Sequence, residues 1–197
     1  MSGIALGRRS PSALLGHLRT AERSALSYDH PGSTVRGEPP PSVQEREHVV
    51  EVDGELSRAV AALRAWAPHR GIQGRIEPEG APIEEGTTLL VVAPFGPVEL
   101  VAPDRIVAVV DEPRRFGFAY GTLAGHAEVG EELFLAEVIG PHRLRLTVRI
   151  HAGPATRLAR IGSPLVTLFQ GAAARRYLQA WATALEEEPR GSTRGPA

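Results

Sequence analysis

Between Tyr120 and Glu132 the chain gathers side chains suited to moving protons: Tyr120, Thr122, His126, Glu128, Glu131 and Glu132. A carboxylate near an imidazole orients the ring and raises its pKa, which makes His126 with a nearby Glu a candidate acid/base pair. A zinc centre would need three protein ligands converging on one point with an open fourth position. One His with Glu residues scattered about a turn does not supply that set, so no metal and no cofactor is expected. The plainest reading is a polar hairpin end tied down by hydrogen bonds. Tyr120 is the better candidate for touching a ligand, because a buried phenol needs a hydrogen-bond partner. An inward-facing Arg145 or Arg149 is one possible partner; the alternative for both is a solvated outer face with Glu partners. Trp66 and His69 form a further pair. They either face a ligand or cap the core as a Trp beside a surface His.

The elements that must carry these groups are strands. Phe116, Phe118, Tyr120 and Thr122 alternate with Gly117, Ala119, Gly121 and Leu123, the period of two of a strand with one packed face. Residues 131–138 are denser in apolar types. With Gly125 between the two segments, the pattern predicts a long antiparallel hairpin lining a cavity. Its glycines suit bends and close approach, and none opens a helix as a phosphate cradle requires. The sequence contains no G-x-S-x-G, H-E-x-x-H, Walker or dinucleotide fingerprint, which argues against ordinary hydrolases, metalloproteases, kinases and dehydrogenases.

The stretch DEPRRFGFAYGTLAGHAEVGEE, residues 111–132, resembles the signature of an uncharacterised family, domain of unknown function nineteen-ninety. Members of that family read DEP-R-R-x-G-F-A-Y-G-T-L-x-G-H-P-E-x-G-E-E. Tyr28, Trp66, His69 and the Arg-Tyr-Leu run at 176–178 are further matches, so the resemblance spans nearly the whole chain. Ala127 replaces the usual Pro, and the Cys often found before Arg105 is missing. The resemblance marks the hairpin residues as a site but implies no activity, since the family has none assigned. The architecture is similar to helix-grip, START-like proteins, in which a curved antiparallel sheet wraps a long C-terminal helix.

At 197 residues a single domain is expected, large enough to bury roughly 70% of its unfolded surface. A hydrophobic content of 42% and a net charge of -1 describe an ordinary globular chain. That balance gives no electrostatic footprint for nucleic acid or an anionic membrane. Every basic residue apart from His is Arg, which reads as codon bias rather than phosphate recognition. Cysteine is absent, which excludes disulfides and thiol catalysis and fits a reducing cytoplasm. No apolar run approaches the ~20 residues of a membrane span, and no apolar region follows Arg8 and Arg9 as a secretory leader would require. A cytoplasmic protein without integral membrane association is expected.

In chain order, Ser10-Pro11 opens a helix whose apolar side carries Leu14, Leu15, Leu18, Ala21 and Leu26 and which ends near Tyr28. The Pro-rich segment 32–42 is an extended connector. Residues 1–42 are expected to form an arm packed on a main domain of residues 43–188, with 189–197 a disordered tail. A strand is predicted over 45–52, then a helix from Leu56 to about Trp66, stopped by Pro68. The strands that follow are broken at Gly80, Pro82, Gly86, Pro94–Pro97 and Pro103-Asp104, and residues 87–92 read as a strand buried on both faces. After the hairpin come a strand over 143–150 and, from Ala155 to about Glu187, a helical stripe kinked at Gly162-Ser163-Pro164. The expected class is α+β: a curved, mostly antiparallel sheet of at least five strands wrapped around a long C-terminal helix, with an N-terminal helical arm.

Three functions are compatible with this pattern. The first is binding of a small hydrophobic or amphipathic molecule in a mostly apolar cavity between sheet and C-terminal helix. Tyr120, Thr122 and His126 would lie near its polar end, with Glu128, Phe116, Phe118, Trp66 and His69 as further contacts. The second is a cofactor-independent lyase, isomerase or cyclase using His126 with Tyr120 and a Glu. The third is a protein-interaction module docking through the Pro-rich arm. No nucleic-acid partner is expected, and the oligomeric state is left open.

Overall fold

A computed structural model describes residues 4–6, 8–41, 43–154 and 163–187. The chain runs β1 (Ile4–Leu6), α1 (Pro11–Glu22), α2 (Ser33–Arg36), β2 (Gln44–Asp53), α3 (Leu56–Arg64), α4 (Ala67–Arg70) and β3 (Arg75–Glu77). It continues through β4 (Thr88–Phe95), β5 (Val98–Glu112), β6 (Arg115–Thr122), β7 (Glu128–Gly140), β8 (Arg143–Pro154) and α5 (Ser163–Glu186). Seven strands form one antiparallel path in the order β2-β8-β7-β6-β5-β4-β3, and β1 pairs with the first residues of β5. The sheet curves round α5, as the helix-grip expectation required. Register slips between Ile106 and Ala108 and between Val138 and Gly140 contribute to that curvature, because an extra residue bends a strand and increases its twist. Among the described residues no helix is long and apolar enough to cross a membrane.

Period two and period 3.6 meet at the core. Phe116, Phe118 and Tyr120 of β6 face inward with Phe134 of β7 and Leu144, Leu146 and Val148 of β8. From α5, Ala174, Tyr177, Leu178, Trp181 and Leu185 answer them at helical spacing. Trp181 is fully buried, and its indole N–H donates to the Ala59 carbonyl at 3.2 Å, which ties α5 to α3. The outer face of the sheet is covered separately. Leu14 and Ala21 of α1 pack there on Leu90, Val92, Val101 and Leu123. β4 is therefore buried on both faces, as its unbroken apolar run predicts.

Several local expectations change. α1 opens as expected, with the Ser10 hydroxyl accepting from the Ala13 N–H, but it ends at Glu22 rather than near Tyr28. Leu26 instead forms a bridge to Leu123 of the sheet. The helix from Leu56 stops at Arg64, and Trp66 takes a left-handed φ of 54°. Pro68 then opens α4 instead of stopping a helix; in a first turn its missing N–H costs little. Pro103-Asp104 is no break, because β5 runs through both residues and the Pro103 carbonyl accepts from the Leu123 N–H at 3.0 Å. α5 begins at Ser163 with Pro164 in its first turn. The expected helical stretch before it, residues 155–162, and the expected tail 189–197 lie outside the described residues.

Arg145 and Arg149 face outward. Across β2 they reach Glu51 at 3.2 Å and Glu47 at 2.6 Å, so the alternative with Glu partners holds and neither partners Tyr120; Arg145 is exposed, while Arg149 also donates to the Thr34 carbonyl of α2 at 2.7 Å. Alternation decides this, since Leu144, Leu146 and Val148 take the inner face of the same strand.

Candidate functional site

Where β4 to β8 curve over α5 they line a partly open cavity of about 150 Å³. Val91, Ala102, Ile150, Ala152 and Ala173 supply its apolar wall. The other side is proton-bearing: Asp104, Tyr120, His126, Glu128, Glu132 and Tyr177 all line it. Strand pairing explains the gathering. Tyr120 lies directly opposite Glu132, and Asp104 directly opposite Thr122, so side chains from three strands emerge on one face. Tyr177 comes from α5 on the other side.

The Tyr120 hydroxyl donates to Glu132 Oε2 at 2.5 Å and lies 3.3 Å from His69 Nε2. His126 is held by its own turn, because the Glu128 N–H donates to Nδ1 at 2.9 Å. The same Nδ1 lies 3.1 Å from the Glu128 carbonyl, and Nε2 faces Asp104 Oδ1 at 3.9 Å, beyond hydrogen-bond reach. Asp104 is 1% exposed, and neither of its carboxyl oxygens has a hydrogen-bond partner. Buried polar groups are nearly always paired, so such a group calls for a functional explanation.

Burial governs the electrostatics. It pushes the Asp104 carboxyl well above its usual range, and the nearby Glu132 and Glu128 charges push the same way. Glu132 rises to about 7, chiefly by burial; the Tyr120 hydrogen bond pulls it back and the Glu128 charge adds to it. His126 falls to about 4 because its cationic form would be desolvated, and His69 falls to about 3 for the same reason. The sequence-based expectation that a carboxylate raises the His126 pKa is thus overturned. The burial that raises Asp104 and lowers His126 works against an ion pair between them. Burial also raises the Tyr120 and Tyr177 phenols, with the Glu132 charge next in importance for both. Glu132, at about 7, titrates across neutral pH.

The rim is committed elsewhere. Glu131 accepts from the Tyr28 hydroxyl at 2.7 Å, the Gly32 N–H at 2.5 Å, and the Thr34 N–H and hydroxyl at 3.0 and 2.6 Å. Gly121 makes room for this fastening, since a Cβ there would overlap the Tyr28 phenol. Thr122 bonds the Ser27 hydroxyl at 2.6 Å and accepts from the Gly130 N–H at 3.0 Å. Ser33, His151 and Glu45 form a chain with contacts of 3.0 and 2.8 Å, but Ser33 is 2% exposed and the chain serves to clamp α2. Tyr28→Phe removes one of the four donors to Glu131, so a loss of about 1.5 kcal/mol in urea unfolding is expected.

Of the residues singled out from sequence, Tyr120, Thr122, His126 and Glu128 meet at the cavity. Phe116, Phe118, Trp66 and His69 do not line it. Phe118 stacks on Phe134 with centroids 5.4 Å apart, Trp66 meets Phe118 edge-on at 5.1 Å, and Phe116 lies under the Arg64 guanidinium at 5.3 Å. His69 is 1% exposed among Trp66, Tyr120, Phe134 and Tyr177, a core residue rather than a surface one. Sequence reasoning missed Asp104 and Tyr177 and left Glu132 as one hairpin carboxylate among several. The alternation Ala102, Asp104, Ile106 places Asp104 on the inner face, but Pro103-Asp104 reads as a break and conceals it. Among the described residues no three His, Cys, Asp or Glu side chains converge to hold a metal ion.

The family described as Domain of unknown function (DUF1990) matches residues 27–180, which include Tyr28, the hairpin and Tyr177. The chain belongs to this family. A UPF0548 protein of Deinococcus radiodurans is 31% identical to this DUF1990 chain over 186 residues, covering 85% of the chain and 91% of the relative. A UPF0548 protein of Arabidopsis thaliana is 30% identical over 125 residues, covering 60% of each. The fold is similar to that of a hypothetical protein from Helicobacter pylori, with a TM-score of 0.53 at 13% identity over 80% of this chain and 95% of that one. A conserved protein from Geobacillus kaustophilus gives a TM-score of 0.54 at 10% identity over 73% and 95%. At these identities the likeness is one of fold, the helix-grip, START-like arrangement.

Proposed function

We propose that this DUF1990 protein binds a small amphipathic molecule between the sheet and α5. Asp104 carries the reading: a buried carboxyl, unpartnered on both oxygens, on the wall of a cavity. An apolar wall with a few placed polar groups is the usual make-up of a small-molecule pocket. A cavity of about 150 Å³ suits a body of benzene size. The α1–α2 arm is fastened to its own sheet through Leu14, Ala21 and Glu131, which favours an intramolecular role over a docking module. The cytoplasmic placement suggested by a chain without cysteine accompanies this reading.

A ¹⁵N-edited NMR titration with benzyl alcohol and benzylamine tests it. Shifts concentrated at Asp104, Tyr120, His126, Ala152 and Tyr177 are expected. No saturable shifts with either probe, or shifts gathered on another face, would refute the reading. Tyr120→Phe should cost about 1 kcal/mol of stability, the worth of one hydrogen bond, because the phenol already serves Glu132 within the protein. Unchanged stability would show that the phenol serves only a ligand.

Proton-transfer catalysis in the same cavity is a second reading, favoured by Glu132. It titrates near 7 and holds a phenol at 2.5 Å, which suits a general acid or base at neutral pH. The role thereby moves from His126, whose low pKa makes it a poor proton carrier at pH 7. On this reading Glu132→Gln abolishes turnover of a lyase, isomerase or cyclase substrate while binding persists.

A further inference from the structure

We infer that the molecule held in this cavity presents a cationic, amine-type nitrogen to Asp104, with Glu132 beside it. The inference deepens the binding reading above and rests on it. Four carboxyl groups from two strands, Asp104, Glu128, Glu131 and Glu132, line one small cavity, and no Arg is among the described residues that enclose it. The Arg residues instead neutralise Glu residues on the outer face, as at Glu47, Glu51 and Glu112. An ammonium group offers only donors, which is what a set of carboxyl and phenol oxygens lacks.

Asp104 is the group left over. Glu132 already accepts from Tyr120, whereas both Asp104 oxygens remain without a donor at 1% exposure. His126 is held by its own turn so that Nε2 stops 3.9 Å from Asp104, leaving the carboxyl to a guest. The carboxyls do not converge on a point as metal ligands would, so they surround a larger, organic cation. The apolar wall of Val91, Ile150 and Ala173 then faces its hydrocarbon part.

An ammonium group favours the ionised carboxyls, whereas burial shifts Asp104 and Glu132 toward their protonated forms in the free protein. Amine binding therefore expels protons, and affinity should rise from pH 6 to pH 8. The titratable groups facing Asp104 are His126, Glu128, Glu132, Tyr120, Tyr177 and Tyr28. Of these, Glu132, at about 7, changes charge within that window.

The test is calorimetric titration of the whole chain with benzylamine and with benzyl alcohol, at pH 6 and pH 8 and in two buffers of different ionisation enthalpy. Benzylamine should bind at least ~10-fold tighter than benzyl alcohol at pH 8, since charge-assisted hydrogen bonds are about twice as strong as neutral ones. Its binding should release protons, and Asp104→Asn should abolish the preference for the amine. Equal affinities for the two probes in the wild-type protein would overturn the amine proposal while leaving the cavity reading intact. Binding of neither would overturn both. A preference that survives in both Asp104→Asn and Asp104→Leu would overturn the assignment to Asp104.

Discussion

Asp104→Leu is expected to stabilise the ligand-free protein by about 1–3 kcal/mol while weakening benzylamine binding at least ~100-fold. A buried polar group without a partner carries its full desolvation penalty, and removing it in favour of an apolar side chain of similar size recovers that penalty. Asp104 fits this description on both oxygens. It also sits beside Glu132 and Glu128, whose charges oppose its ionisation. The leucine has room, because its side chain extends toward a cavity of about 150 Å³ rather than into packed atoms. Gain of stability with loss of binding is the signature of a group kept for function. Urea unfolding should show a higher midpoint at an unchanged m-value. A lower midpoint would make Asp104 a structural residue.

The second large effect is a pH dependence assigned to Glu132. Its folded pKa of about 7 lies above the ordinary 4.5, so the folded state holds the proton more tightly than the unfolded chain. The stability this group contributes is fully present below pH 4.5 and is lost as pH rises from there through about 7. Between pH 5 and pH 8 the loss is about 2–3 kcal/mol. His126 and His69 have the opposite sign: both are lowered, so their contribution falls away as the pH drops below 6.5. Wild-type stability alone therefore mixes opposing slopes. The informative quantity is the difference from Glu132→Gln, which keeps the histidines and removes one titration. Measured by urea unfolding at both pH values, the variant should gain about 2–3 kcal/mol on the wild type from pH 5 to pH 8. A constant difference would place the Glu132 pKa near its ordinary value.

The hairpin was legible because Phe116, Phe118 and Tyr120 alternate strictly with small residues, and the inner face of β6 follows from that alone. α5 was legible because Leu178, Trp181 and Leu185 keep helical spacing. Asp104 was not. Pro-Asp is ordinary turn chemistry, and the pairing of β5 with both β4 and β6 carries the strand through it. The inward direction of His69 was likewise hidden. It follows from the left-handed turn at Trp66, a backbone choice that local sequence does not dictate. Neither could the pKa order be read in advance. His126 and Glu132 sit close together in sequence, and burial moves them in opposite directions.

The most direct test of the account is a crystal structure of the protein at saturating benzylamine. The predicted result places the amine nitrogen within hydrogen-bond distance of an Asp104 carboxyl oxygen, with the ring against Val91 and Ile150 between the sheet and α5. A ring bound on any other surface, or an unchanged cavity at saturation, would contradict it.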